Sequence, residues 1–251
     1  MLIPSTTALP SPGFSRQDVH VWLCDLSRHE LDPAALVALL STEEQNRAAR
    51  FAFDRDRQRF MLSHGLLRLI LGRYVGEEET GQLQFETGDH GKPSLRRRSH
   101  TAEPIEFSLS HSGQYALVAV ADGRAVGVDV EVCRPDVEAL KLAQRFFAPS
   151  ESQRIAQVHG QEQPGMFYRY WTSKEAYLKG RGVGLSYGLD RFELLFDDQL
   201  MQAQVRLTES GILDRDWSVQ SLQLGEQVVG AIAVEGKAWQ VQMFDAMALF
   251  R

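Results

Sequence analysis

The sequence predicts an α+β fold made of two similar α/β halves in a pseudo-twofold arrangement, with the functional site in the cleft between them. Three observations carry this reading. The order strand, helices, antiparallel strands occurs twice along the 251 residues. Ser41-Thr42-Glu43-Glu44-Gln45, ahead of the first long helix, is echoed by Pro149-Ser150-Glu151-Ser152-Gln153 ahead of the second. Farther on, Arg59-Phe60-Met61-Leu62-Ser63-His64-Gly65 lines up with Arg169-Tyr170-Trp171-Thr172-Ser173-Lys174-Glu175. The organisation that follows is a tail over residues 1–18, a first half over 19–121 and a second over 122–251. Clefts between such units are common ligand sites.

His20 to Leu26 reads as the first strand, because Val19, Val21 and Leu23 alternate with His20 and Trp22. Asp32-Pro33 opens a short helix, as an N-cap followed by proline at the first helical position. Ser41-x-x-Glu44 is a capping box and starts a second helix. Phe60, His64, Leu67, Leu71 and Tyr74 recur at helical spacing, which predicts a long helix over 56–74 ended by Gly76. Strands are predicted over 83–86, 105–109, 114–121 and 125–131, the last two joined at Asp122-Gly123 as a hairpin. Helices follow over 137–145, 150–158 and 165–179. The remainder reads as strands over 191–196, 203–207, 217–224, 228–234 and 238–244.

Composition narrows the function. With 43% hydrophobic residues the chain can bury a sizeable core. A net charge of −6 argues against nucleic acid as a partner. The short basic run Arg96-Arg97-Arg98 reads as a solvated loop. No apolar run approaches a membrane span, and Met1 to Phe14, rich in Pro, Ser and Thr, lacks the build of a signal peptide. Cys24 and Cys133 stand far apart without CxxC spacing, as expected of a reduced, cytoplasmic protein.

Three segments carry chemistry. In Gly127-Val128-Asp129-Val130-Glu131, Asp129 and Glu131 share one strand face. Paired carboxylates repel unless a cation or proton intervenes, and hard oxygen ligands suit Mg²⁺ or Mn²⁺; the plainer alternative is an acidic strand face. In Trp171 to Lys179, Glu175 and Lys179 stand at i,i+4 on one helix face. That pair is either a surface ion pair, or a carboxylate serving as metal ligand or base beside a phosphate-neutralising lysine. In Phe107 to Gly113, serines flank His111 before a glycine. This is a turn held by Ser side chains or a donor set for phosphate.

The three together, F-x-x-S-H-S-G, then G-V-D-V-E, then W-x-x-K-E-A-x-x-K, resemble the phosphopantetheinyl transferases of the surfactin-synthetase-activating (Sfp-like) type. Gly91-Lys92-Pro93 and Arg145-Phe146-Phe147 match that family as well. The resemblance spans roughly residues 20 to 235. It implies transfer of the 4′-phosphopantetheine arm of coenzyme A to a serine of an acyl or peptidyl carrier protein, with Mg²⁺ (Mn²⁺ as alternative) at the pyrophosphate. On that resemblance Asp129, Glu131 and Glu175 hold the metal. His111 and Lys179 contact the pyrophosphate, Lys92 lies near the adenine and Ser110 near the nucleotide, and Lys174 is a further coenzyme A-binding candidate. Arg47 and Arg59 meet the 3′-phosphate. Glu175, Lys179 and His111 are the catalytic candidates.

This chain departs from the family in having Glu44 where a basic residue is common, and Ser108 in place of Asn. Gly65 stands opposite Glu175 in the repeat, so one metal site is expected. Val132 to Phe147 is the expected carrier-docking stretch, with Phe146 and Phe147 read as core. A monomer follows if the cleft lies within one chain. Two other classes remain open: another Mg²⁺-dependent phosphotransferase, disfavoured by the lack of a P-loop, and a non-catalytic coenzyme A-binding module.

Overall fold

The computed structural model describes residues 15–88, 90–96, 104–160 and 162–250. The first fourteen residues of the expected tail, and Arg97 and Arg98 of the basic run, lie outside the described residues.

The first half runs β1 (Asp18–Asp25), α1 (Pro33–Ala38), α2 (Thr42–Ala48), α3 (Asp54–Val75), β2 (Phe85–Thr87), β3 (Pro93–Leu95), β4 (Ile105–Ser112) and β5 (Tyr115–Asp122). The second runs β6 (Val126–Val132), α4 (Ala139–Phe146), α5 (Pro149–Ala156), α6 (Glu162–Arg181), β7 (Phe192–Phe196), β8 (Gln202–Leu207), β9 (Leu213–Gln223), β10 (Val228–Glu235) and β11 (Gln240–Asp245). Every helix and strand predicted from the sequence is present, with shifted ends. The short strand β3 was not foreseen, and β9 begins four residues early.

The helix starts follow local chemistry. Asp32 accepts from the amides of Ala34 and Ala35 at the head of α1, with Pro33 in the first turn. Ser41 and Glu44 form the full capping box of α2. Glu44 does more than cap. It is buried, accepts from Arg68 at 2.8 Å and lies 3.2 Å from His64, both on α3. Burial raises its pKa, but His64, the Ser41 amide and Arg68 outweigh that and bring it to about 2. A folded-state value below the unfolded one stabilises above about pH 4.5, an advantage lost as pH falls toward about 2. Glu44→Gln is therefore expected to lower stability by about 3 kcal/mol at neutral pH. The gap to the parent chain should close in urea titrations run down this acid limb.

Two sheets form, in the orders β11-β1-β5-β4 and β6-β10-β9-β8-β7. Residues alternate faces along each strand. On β1 and β5, Trp22, Cys24, Val118 and Val120 pack under α3, whereas Val19, Val21, Leu117 and Ala119 face the other sheet. On β10, Ile232 and Val234 meet that inner layer, while Ala231 and Ala233 pack under α6. The result is four layers, helices outside and two sheets face to face within.

Asp122-Gly123 is not a hairpin. Gly123 does take the left-handed turn (φ 63°), but β5 is already paired on both edges, to β1 and β4. The next strand therefore crosses to the second sheet, where β6 pairs with β10. β11 makes the return journey and pairs parallel with β1, from Asp18 opposite Gln240 to Leu23 opposite Asp245. Phe147 is core, as expected, but Phe146 is not: it is 36% exposed at the end of α4, with Arg145 over its ring. Among the described residues no helix is long and apolar enough to cross a membrane.

Candidate functional site

The edge strands β4 and β6 meet at a seam closed by side chains. Ser108, Ser110 and Ser112 stand two apart on β4 and face β6. Ser108 accepts the amide of Val128 (3.1 Å) and Ser112 that of Val132 (3.2 Å). Ser110 donates to Asp129 Oδ1 at 2.7 Å and Ser112 to Glu131 Oε2 at 2.5 Å. The sequence allows these serines a turn or a phosphate cradle; in the fold they tie the two sheets together and grip the acidic strand.

Helix α6 lies directly on β6 because residue 127 is glycine. A Cβ there would sit 2.0 Å from the Ala176 carbonyl oxygen and 2.2 Å from the Gly180 nitrogen. This close approach brings Lys179 onto Asp129, Nζ to Oδ1 2.6 Å, and onto Ser110 Oγ at 2.9 Å. Asp129 is 4% exposed, and its second oxygen, Oδ2, is buried without a hydrogen-bond partner. Glu175, one turn before Lys179, has its pKa pushed up to about 7, first by burial and then by the charges of Asp129 and Glu131, with Lys179 opposing. Burial, together with Asp129, also raises Glu131, against the pull of its Ser112 hydrogen bond. Among the described residues no three His, Cys, Asp or Glu side chains are drawn into a ready metal cage. The charge that answers Asp129 within the chain is Lys179.

His111 sits on the opposite face of β4 from the serines, open to solvent. Crowding by protein atoms lowers its pKa, as do the positive charges of Lys179, His64 and Arg59. Arg47 and Arg59 lie beside the start of α3, Arg47 over the Phe60 ring at 5.2 Å and Arg59 3.8 Å from Asp56. A pocket of about 620 Å³ opens here, walled by Arg55 and Arg59 on one side and Arg134, Leu142, Phe146 and Trp171 on the other, with Glu131 in its lining. Arg55 and Arg134 were not singled out from the sequence. Nothing local marks them, since they meet across the cleft from α3 and the end of β6.

Two lysines are engaged by groups within the fold. Lys174 is a correction: it is fully buried and does not reach the cleft. Its Nζ donates to the carbonyls of Leu189 (2.8 Å) and Phe192 (2.6 Å) and pairs with Glu151 at 2.8 Å. The Lys174 side chain thus turns inward, away from solvent. Burial drives Glu151 toward its neutral form and Lys174 likewise, each opposed by the other's charge. Truncating one member of such a pair leaves the other uncompensated, so Lys174→Ala should cost ~3–5 kcal/mol of stability. The check is the urea midpoint of the variant against that of the parent chain. Lys92 donates to the carbonyls of Val126 (3.2 Å) and Gly180 (2.8 Å), clamping the end of α6 to β6. Its ammonium is therefore engaged by main chain.

A family model described as the 4′-phosphopantetheinyl transferase superfamily matches residues 125–233, and one for the N-terminal region of 4′-phosphopantetheinyl transferases matches 27–122. The chain is 37% identical over 241 residues to the 4′-phosphopantetheinyl transferase HetI of Nostoc sp., covering 93% of this chain and 96% of that protein. It is 39% identical over 191 residues to a putative 4′-phosphopantetheinyl transferase of Synechocystis sp., covering 76% of this chain and 74% of the other. With the 4′-phosphopantetheinyl transferase Sfp of Bacillus subtilis it shares 30% identity over 158 residues, 63% of this chain and 67% of Sfp.

Proposed function

The chain belongs to the 4′-phosphopantetheinyl transferase superfamily, and we propose that it converts apo carrier proteins to their holo form. It does so by moving the 4′-phosphopantetheine arm of coenzyme A onto a carrier serine. The observation that carries the reading is the Asp129–Lys179–Ser110 cluster, set beside two further acids at the mouth of an arginine-walled cleft.

A divalent cation, Mg²⁺ or Mn²⁺, fits the acids. Among the described residues Asp129 Oδ2 is a buried oxygen without a partner, and burial, followed by the charges of Asp129 and Glu131, holds Glu175 half protonated near neutrality. Asp129, Glu131 and Glu175 would hold the ion, and when bound it supplies charge neutralisation at the pyrophosphate. The chain's own groups do the rest. Lys179 and His111 face the pyrophosphate, and Arg47 and Arg59 take the 3′-phosphate, for which guanidinium forks are suited. Ser110 orients Asp129 and Lys179 rather than meeting the nucleotide by itself. The carrier hydroxyl attacks the β-phosphorus, forming the new O–P bond as the bond to adenosine 3′,5′-bisphosphate breaks. Glu175 takes the hydroxyl proton. Lys179 steadies charge on the transferred phosphoryl oxygens and the leaving group.

We also read the chain as two related halves, 19–121 and 122–251, in a pseudo-twofold arrangement. Topology supports this: β1 and β6 each lead through helices to a hairpin whose second strand pairs back antiparallel, β4–β5 onto β1 and β9–β10 onto β6. Glu44 and Glu151 support it too. Each is the third residue of a capping helix and binds a cation on the following long helix, Arg68 and Lys174 respectively. The cap geometry pairs Glu44 with Glu151, one residue off the match read from the letters. The cleft lies within one chain and both cysteines are free, which favours a cytoplasmic monomer. A carrier would approach along Val132 to Phe146, where Leu142, Phe146 and Trp171 line the pocket next to Glu131.

The test is the mass of a purified apo carrier protein after incubation with this chain, coenzyme A and Mg²⁺. The expected result is a gain of one phosphopantetheinyl group, abolished by EDTA. Coenzyme A binding without any gain on acyl and peptidyl carriers alike would favour a non-catalytic module.

A further inference from the structure

We propose that Ser112 is a positioning residue of the cation site, holding Glu131 so that one carboxylate oxygen stays free for the ion. The inference rests on reading Asp129, Glu131 and Glu175 as cation ligands, and extends it to a side chain outside that set.

A serine hydroxyl has one proton and two lone pairs. The Val132 amide occupies a lone pair of Ser112 at 3.2 Å, so the single proton is directed to Glu131 Oε2, 2.5 Å away. Oε1 is left without a hydrogen bond among the described residues. Asp129 repeats the pattern two residues earlier. Its Oδ1 is held by Ser110 and Lys179, while Oδ2 is buried and unpartnered. Both acids therefore present one held and one open oxygen, and a serine of β4 sets which is which. Ser112 is itself locked by the seam between β4 and β6, so the orientation of Glu131 is inherited from the packing of the two sheets. Groups of this kind, which bond a ligand rather than the metal, typically change metal affinity 10–100-fold when removed.

The test is Mn²⁺ titrated into the full-length protein and followed by electron paramagnetic resonance, with Ser112→Ala, Ser112→Thr and Asp129→Ala compared with the parent. Ser112→Ala is expected to weaken Mn²⁺ binding at least ~10-fold, and Ser112→Thr, which keeps the hydroxyl, to restore it. A mere strap between sheets would lower the cation-free unfolding temperature of Ser112→Ala and leave Mn²⁺ affinity intact; that outcome, with binding lost in Asp129→Ala, overturns the proposal and spares the site. Parental Mn²⁺ affinity in Asp129→Ala overturns the site reading, and the proposal with it. Should Ser112→Ala fail to fold, Ser112→Cys keeps the volume with a poor donor, and parental affinity there also overturns the proposal.

Discussion

Asp129→Ala is expected to reduce transfer to an apo carrier by on the order of 10³-fold or more in kcat, with the fold retained. Asp129 is where three things meet: the Ser110 hydroxyl, the Lys179 ammonium and an oxygen, Oδ2, that nothing among the described residues satisfies. Removing it loosens Lys179 and removes the strongest reason for a cation to settle at this point. The methyl group of alanine fits the space under α6, and no backbone group depends on the carboxylate, so circular dichroism and unfolding temperature should change little. Coenzyme A binding should persist through the arginines, separating loss of chemistry from loss of substrate. Near-parental turnover would sink the assignment of the whole cluster.

Glu175→Gln is expected to lower kcat by ~10²–10⁴-fold, the usual range for loss of a general base. The side chain is nearly isosteric and Glu175 makes no structural ion pair, so KM for coenzyme A should move little. The pH profile gives an independent check. Burial and the acids of β6 raise the Glu175 carboxyl to about 7 in the free protein. A bound cation favours the ionised carboxylate and lowers that value, so the parental rate should climb with pH on the acid side of neutrality, and the limb should shift toward pH 7 as the cation is made limiting. The residual rate of the glutamine variant should lack that limb. An unchanged pH profile in the variant would move the base elsewhere in the cleft.

Both variants should lose activity under either reaction class, so the donor is tested separately. If ATP, not coenzyme A, proved the phosphoryl donor, the same acids would still matter, but Arg59 would lose its reason for lining the pocket. A carrier mass assay run with each donor separates these readings.

Much of the architecture was legible in the letters because it is local. Helix starts announce themselves through caps such as Asp32-Pro33 and Ser41-x-x-Glu44, whose bonds span at most three residues. Strand faces follow from alternation, and the acids of β6 project toward α6 for that reason. The G-V-D-V-E and W-x-x-K-E-A-x-x-K segments fall on β6 and α6, and the family they suggested is the one to which the chain belongs. Reading single side chains was less secure. Lys174 and Lys179 both sit on α6 and look alike in sequence, yet one is sealed against Glu151 and the other lies on Asp129. The offset of five positions is about 1.4 helical turns, enough to place them on different faces.

What the sequence determined by itself is the set of elements, their order and the chemical character of the site: acids on one strand, a glutamate and a lysine one turn apart on one helix, serines at every second position of another strand. What only the tertiary structure decided is who meets whom. That β5 and β6 part company, that β11 returns to β1, and that Ser112 grips Glu131 depend on strand edges competing for partners far apart in the chain. Such edges are distinguished by which neighbours are already taken, a property of the assembled sheets and not of any segment within them.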